Sequence, residues 1–193
     1  MVKITSSSNS KIVVMDGSMG NYMSHNGLPN DDLFKKCWSA RALIDNNYHQ
    51  LIIDAHKAYI EAGAEIIETN SYGVQPTYYK RVYGKDYKEK MLQDSKLAAR
   101  LAVQARNESG RKGVRIVASI PPLTESFRSD LFFELLKTEG KEYIIETFRS
   151  LSKASLAGGA DALIIENMVC FKLIFIISML FRIINLFKFK RNH

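Results

Sequence analysis

Four short apolar runs, each closed by a polar or glycine-bearing turn, alternate with long stretches of helical period, and this alternation leaves few folds open. The runs are residues 11–15 (KIVVM), 65–68 (EIIE), 115–120 (RIVASI) and 161–165 (DALII). Rich in Val and Ile and too short for helices, they suit strands buried on both faces of a parallel sheet. The spacing predicts a helix over 48–62, with Leu51, Ile52, Ala55, Tyr59 and Ala62 on one face and Gly63 as a left-handed terminator. A second is predicted over 88–107 on Met91, Leu92, Leu97, Leu101 and Ala105, and a third over 141–157 before Gly158 and Gly159. Strand, helix, strand, helix is the order of right-handed βαβ crossovers.

Ligands of barrels and open α/β sheets lie beyond the carboxyl ends of the strands. The turns that would meet there are Asp16-Gly17-Ser18-Met19-Gly20, Thr69-Asn70-Ser71-Tyr72-Gly73, Ser119-Ile120-Pro121-Pro122 and Glu166-Asn167. Gly17 and Gly20 would admit backbone close to a small ligand, and Asp16 and Glu166 could each hold an ammonium group. The same residues would serve equally as helix caps and turn formers, and spacing alone leaves both open.

The formal charge of +7 invites a nucleic-acid reading, so its location matters. Lys172, Arg182, Lys188, Lys190 and Arg191 carry +5 of it in residues 171–193, leaving +2 scattered over the rest. No basic stripe with interleaved aromatics remains, and no nucleic-acid partner is expected. The N-terminal MVKITSSSNSKIVV has no long apolar segment before a small-residue cleavage site, so a cytoplasmic chain is the expectation. Cys37 and Cys170 form no CxxC pair and read as structural thiols. A nucleotide-binding alternative fails at the first turn, because DGSMGNYMSHNG has no GxGxxG pattern opening a helix.

Five motifs in order then resemble one family: MDGSMG at 15–20, CWSARAL at 37–43, HKAYIEAGAEIIETNSYG at 56–73, ASIPPLTESFRSDL at 118–131 and AGGADALIIENM at 157–168. Together they resemble the homocysteine S-methyltransferases, whose homocysteine-binding domain is a (βα)8 barrel. The SIPPLTESFR stretch is most similar to members that take the methyl group from S-methylmethionine or S-adenosylmethionine. The resemblance implies that Asp16 and the Gly17 backbone lie at the homocysteine site, that Thr69 hydrogen-bonds its polar end, and that Glu166 pairs with its ammonium. His56 and Tyr59 also match, but their mid-helix positions suggest packing, and His25 receives no role.

The family activates the homocysteine thiol on a zinc ion held by three cysteines, which lowers the thiol pKa. One of these follows a later strand after Asn, and the other two are adjacent in a glycine-rich turn. Neither Cys37 nor Cys170 matches those places, so zinc belongs to the complete family enzyme and none is expected on this chain.

The fold expected is α/β of the (βα)8 TIM-barrel family, truncated to about the first four βα units, since a full barrel takes about 250 residues. Residues 1–11 are expected to be disordered, 12–170 to form the partial homocysteine-binding barrel domain, and 171–193 to be an apolar basic tail foreign to it. That tail, FKLIFIISMLFRIINLFKFKRNH, lacks Gly, Ala, Val, Pro, Thr, Asp and Glu, and resembles translated intron or out-of-frame sequence. The alternatives are a membrane anchor, which Arg182 disfavours, and an amphipathic helix covering an open barrel edge. The partners expected are homocysteine and a sulfonium donor, with no membrane span and with self-association through open barrel edges. On this reading the truncated chain is inactive; a non-catalytic half-barrel module or a tail-anchored fragment is the competing reading.

Overall fold

The computed structural model describes residues 12–168, so the expectations for 1–11, Cys170 and 171–193 lie outside the described residues. Three parallel strands form the sheet: β1 (Ile66–Glu68), β2 (Arg115–Ile120) and β3 (Ala162–Ile165), hydrogen-bonded in that order. The register sets Ile66 beside Arg115 and Val117 beside Ala162.

The run at 11–15, expected as a full strand, contributes a single bridge from Met15 to Ile66 on the outer edge of β1. Three hydrogen bonds support it, from Glu65 N to Val14 O at 2.8 Å, from Ile66 N to Val14 O at 3.2 Å and from Asp16 N to Ile66 O at 3.0 Å. Its outer side has no strand among the described residues, and Ile12 is 84% exposed. The four segments follow one another across the sheet in chain order without reversal. A doubly wound sheet would instead return a later strand to the far side of the first.

Three helices stand where the periodicity places them. In chain order the helices are α1 (Met19–His25), α2 (Asp32–Cys37), α3 (Arg41–Ile44), α4 (His49–Glu61), α5 (Pro76–Tyr83), α6 (Tyr87–Ser109) and α7 (Ser129–Ala157). Helix α4 buries Ile52, Ile53, Ala55, His56 and Ile60, so its inner stripe is rotated from the expected one and Leu51 and Tyr59 are half-buried. Gly63 and Gly110 take positive φ at the ends of α4 and α6, as the terminator reading requires. The α7 span is two helical segments that meet at a kink, since Gly140 (φ 85°, ψ 171°) is non-helical; the second segment follows it where a helix over 141–157 is expected, and the first, from Ser129, is the addition. The short helices α1, α2, α3 and α5 escaped the periodicity, being too brief to show a stripe. Their signals are local: Asp31 caps α2 by accepting Phe34 N–H at 3.0 Å, and Pro76 occupies the first turn of α5.

Small residues let the layers approach. Ala99 and Ala102 on α6 face Ile67, Ile116 and Ala118 of the sheet in one buried cluster. A larger cluster joins α4, α6 and α7 through Ile52, Ala98, Ile120, Phe132, Phe148 and Leu151. Among the described residues no helix is long and apolar enough to cross a membrane.

Candidate functional site

The parallel sheet brings three carboxylates to one end. Asp16 leaves the edge segment and accepts the Glu68 backbone N–H at 2.8 Å. Glu68 is the last residue of β1. Glu166 follows β3, is tied by its N–H to Ile120 O at 3.2 Å, and accepts the Ser119 hydroxyl at 2.7 Å. The Glu68 and Glu166 side chains lie close enough to interact directly.

Burial pushes the Asp16 carboxyl up to about 7, and the Glu166 charge adds to the rise. Glu68 is raised as well, first by burial and then by the neighbouring Glu166 side chain and its charge. Carboxylates crowded in a low dielectric resist ionising together, so the cluster favours either a bound proton or an incoming cation.

Beside them lies a cavity of about 230 Å³. Gly17, Thr69 and Glu166 are on its wall, whereas Asp16 sits behind it and supports Glu68. A Cβ at Gly17 would stand 3.3 Å from the Tyr59 ring, whose hydroxyl donates to Ser18 O at 3.2 Å. Tyr59 therefore braces the first strand-end turn, and His56 is wholly buried in the core.

Thr69 is 3% exposed, and its hydroxyl accepts Ser119 N–H at 3.1 Å and pairs with Ser71 Oγ at 2.7 Å. Ser71 donates to Ser119 O at 2.7 Å, so the Thr69 proton is committed to Ser71. The residue locks the β1 and β2 ends together. His25 is exposed on α1 and lies off the cavity wall; its Nδ1 is 2.8 Å from Asn21 O.

Sequence reasoning gave no site role to Glu68 or Trp38 on the cavity wall, and had Tyr72 and Asn167 there only as members of the strand-end turns. A carboxylate closing an apolar strand run was the available signal for Glu68. Trp38 carried none, since its place depends on a left-handed backbone (φ 50°) after α2. The Trp38 ring packs over Gly20, where a Cβ would come within 2.8 Å of it. Gly20→Ala is expected to drive the ring from the cavity. Trp38 is the chain's one tryptophan, so a shift in emission maximum reads the displacement directly, and an unchanged spectrum contradicts it.

The described residues do not suit a zinc ion. No group of three or more His, Cys, Asp or Glu among them is placed to hold a metal. Cys37 is buried away from the cavity, donates its thiol to Leu33 O at 3.1 Å, and is pushed up to about 12 by burial, far from a metal-binding thiolate.

Comparison with known proteins agrees with this architecture. A family model described as homocysteine S-methyltransferase matches residues 13–187, continuing past Met168, where the motifs read from the sequence end. Homocysteine S-methyltransferase 1 of Arabidopsis thaliana is 37% identical over 101 residues, covering 51% of this chain and 28% of that protein. The crystal structure of the homocysteine methyltransferase MmuM from Escherichia coli, in its metallated form, matches with a TM-score of 0.70. At 23% identity that likeness speaks for the fold, and it covers 91% of this chain and 61% of that one. The chain thus spans less than two thirds of either relative. With the family model covering most of its length, this chain belongs to the homocysteine S-methyltransferase family.

Proposed function

We propose that the strand-end pocket binds homocysteine, and that the reaction it serves moves a methyl group to homocysteine from S-methylmethionine or S-adenosylmethionine, giving methionine. The observation that carries this reading is the convergence of Glu68 and Glu166 on the cavity with Asp16 behind them. An ammonium entering there relieves their mutual repulsion, lets them ionise, and gains charge-assisted hydrogen bonds. Glu166 and Glu68 take the ammonium, Asp16 and Thr69 hold the strand ends in place, and Gly17 lines the wall beside them. Trp38 and Tyr72 on the cavity wall supply aromatic rings that suit a sulfonium cation.

In the transfer, the homocysteine sulfur forms a bond to the methyl carbon as the donor's sulfur–methyl bond breaks, and the donor leaves as a neutral thioether. The thiol proton must go first. We assign the pocket residues to amino-acid binding and place thiol activation elsewhere in a complete (βα)8 barrel. The chain's two cysteines are fewer than the three the family's zinc site takes, so zinc-dependent methionine formation by the purified 193-residue chain is expected to be negligible. Measurable turnover would overturn that assignment.

Titration calorimetry tests the binding reading. L-homocysteine should bind saturably near pH 7, with an enthalpy that depends on the buffer because protons leave the carboxylates. Affinity should fall as pH drops below the raised Asp16 pKa of about 7. Glu166→Gln should weaken binding roughly tenfold or more, the worth of a charged hydrogen bond. No heat of binding, or wild-type affinity in the variant, would remove the reading.

The exposed Ile12, Val13 and Val14 on an open sheet edge favour one further reading, a half-barrel module that self-associates. Light scattering behind size-exclusion chromatography decides it: a sharp dimer supports the module, and a monomer removes it.

A further inference from the structure

Among the described residues three that are not glycine have positive φ: Trp38 (50°), Phe127 (62°) and Asn167 (48°). They lie on three different connections; Trp38 and Asn167 touch Tyr72, and Phe127 is next in the chain to a residue that does. The Trp38 ring meets the Tyr72 ring edge-on, at 6.2 Å between centroids and 81° between planes. Asn167 Nδ2 donates to the Tyr72 hydroxyl at 2.9 Å. Phe127 follows Ser126, whose hydroxyl is hydrogen-bonded to that same Tyr72 oxygen.

A phenolic oxygen donates once and accepts twice, so it can hold both partners together. Left-handed backbone is costly for Phe and Trp, and such strain persists only where surrounding contacts over-determine it.

We propose that Tyr72 is a positioning residue: its hydroxyl clasps the loops after β1, β2 and β3 and so fixes the Asn167 turn that presents Glu166 to the pocket. This deepens the homocysteine-binding reading and rests on it. Asn167 follows Glu166 directly, so the direction of the Glu166 backbone depends on that turn. Without the hydroxyl, the Tyr72 ring stays against Trp38, but the loops after β2 and β3 lose their common anchor. Glu166 then keeps its backbone tie to Ile120 O and its side-chain contact with Ser119, but the turn that follows it is no longer pinned.

The test is Tyr72→Phe in the full 193-residue chain, read by hydrogen exchange and by L-homocysteine titration. Residues 123–128 and 166–168 should exchange together about tenfold faster, the equivalent of one lost hydrogen bond, with α4 and α6 unchanged. Asn167→Ala should also loosen 123–128, a loop that Asn167 reaches only through Tyr72. Homocysteine affinity should fall about tenfold in Tyr72→Phe, with the melting temperature little changed.

Unchanged exchange in both loops, or loosening of only one, overturns the clasp. Loosened loops with unchanged affinity overturn the positioning role. If the wild-type chain binds no homocysteine, the functional reading fails, while the exchange measurement still decides the clasp.

Discussion

Gly158→Ala is expected to destabilise the chain by about 3 kcal/mol, the upper range for overpacking a close contact. Gly158 ends α7 where that helix lies directly on α6, and an added Cβ would stand 2.3 Å from Lys96 O and 2.7 Å from Ala99 Cβ. Neither neighbour can yield easily: one is main chain within a helix and the other a side chain of a single carbon. The helices must part, and the interface that carries Ala98, Phe148 and Leu151 loosens with them. The measurement is the urea midpoint of unfolding. Gly113→Ala is the control, since nothing lies within 4 Å of a Cβ at that position. A Gly158→Ala midpoint equal to wild type would show that α6 and α7 are not packed this way.

The second large effect is a pH dependence seeded in the carboxylates. Asp16 has a folded pKa near 7 against an ordinary 3.8, because burial penalises its charge. Between about pH 4 and 7 the folded chain therefore keeps a proton that the unfolded chain releases, and stability falls as pH rises through that window. Discounted for the part of Asp16 that water reaches, its contribution is roughly 2 kcal/mol. Glu68 acts in the same direction. His56, held near 4 by burial, acts oppositely, costing stability as pH falls from 6.5, so the net curve mixes the two.

A difference measurement separates them. Glu68→Gln keeps a donor toward Glu166 and removes the charge. It should match wild type at pH 4.5 and melt several degrees higher at pH 8. A variant no more stable than wild type at pH 8 would mean that the carboxylates are not crowded. Homocysteine, by supplying a cation, should recover most of the same stability in the wild-type chain at high pH.

Much of this molecule was legible before any coordinates. The strands at 65–68, 115–120 and 161–165 and the helices from 49 and 87 follow from apolar period and glycine punctuation, which act over a few neighbouring residues. Gly17, Thr69 and Glu166 were legible as strand-end residues because a parallel sheet gathers such ends on one side. Where reading fell short, the cause is physical. The run at 11–15 has the composition of a buried strand, but among the described residues Met15 makes one bridge at the sheet's edge, and an edge is a property of the sheet. Thr69 has a ligand-binding residue's chemistry, but the Ser71 and Ser119 partners that occupy it come from its own turn and from the next strand.

By itself the sequence determined the order of elements, the side of the sheet on which the polar turns gather, and the family motifs, since each is written in contiguous residues. Only the tertiary structure decided that Glu68 joins Glu166, that Asp16 stands behind the wall, and that Tyr72 draws together Trp38, Ser126 and Asn167. The meeting of Tyr72 with Asn167 spans 95 positions of chain, and local propensity carries no information over such distances. Such meetings arise when α6 and α7 pack down on the sheet, which sets how close neighbouring strand ends come and so which side chains meet.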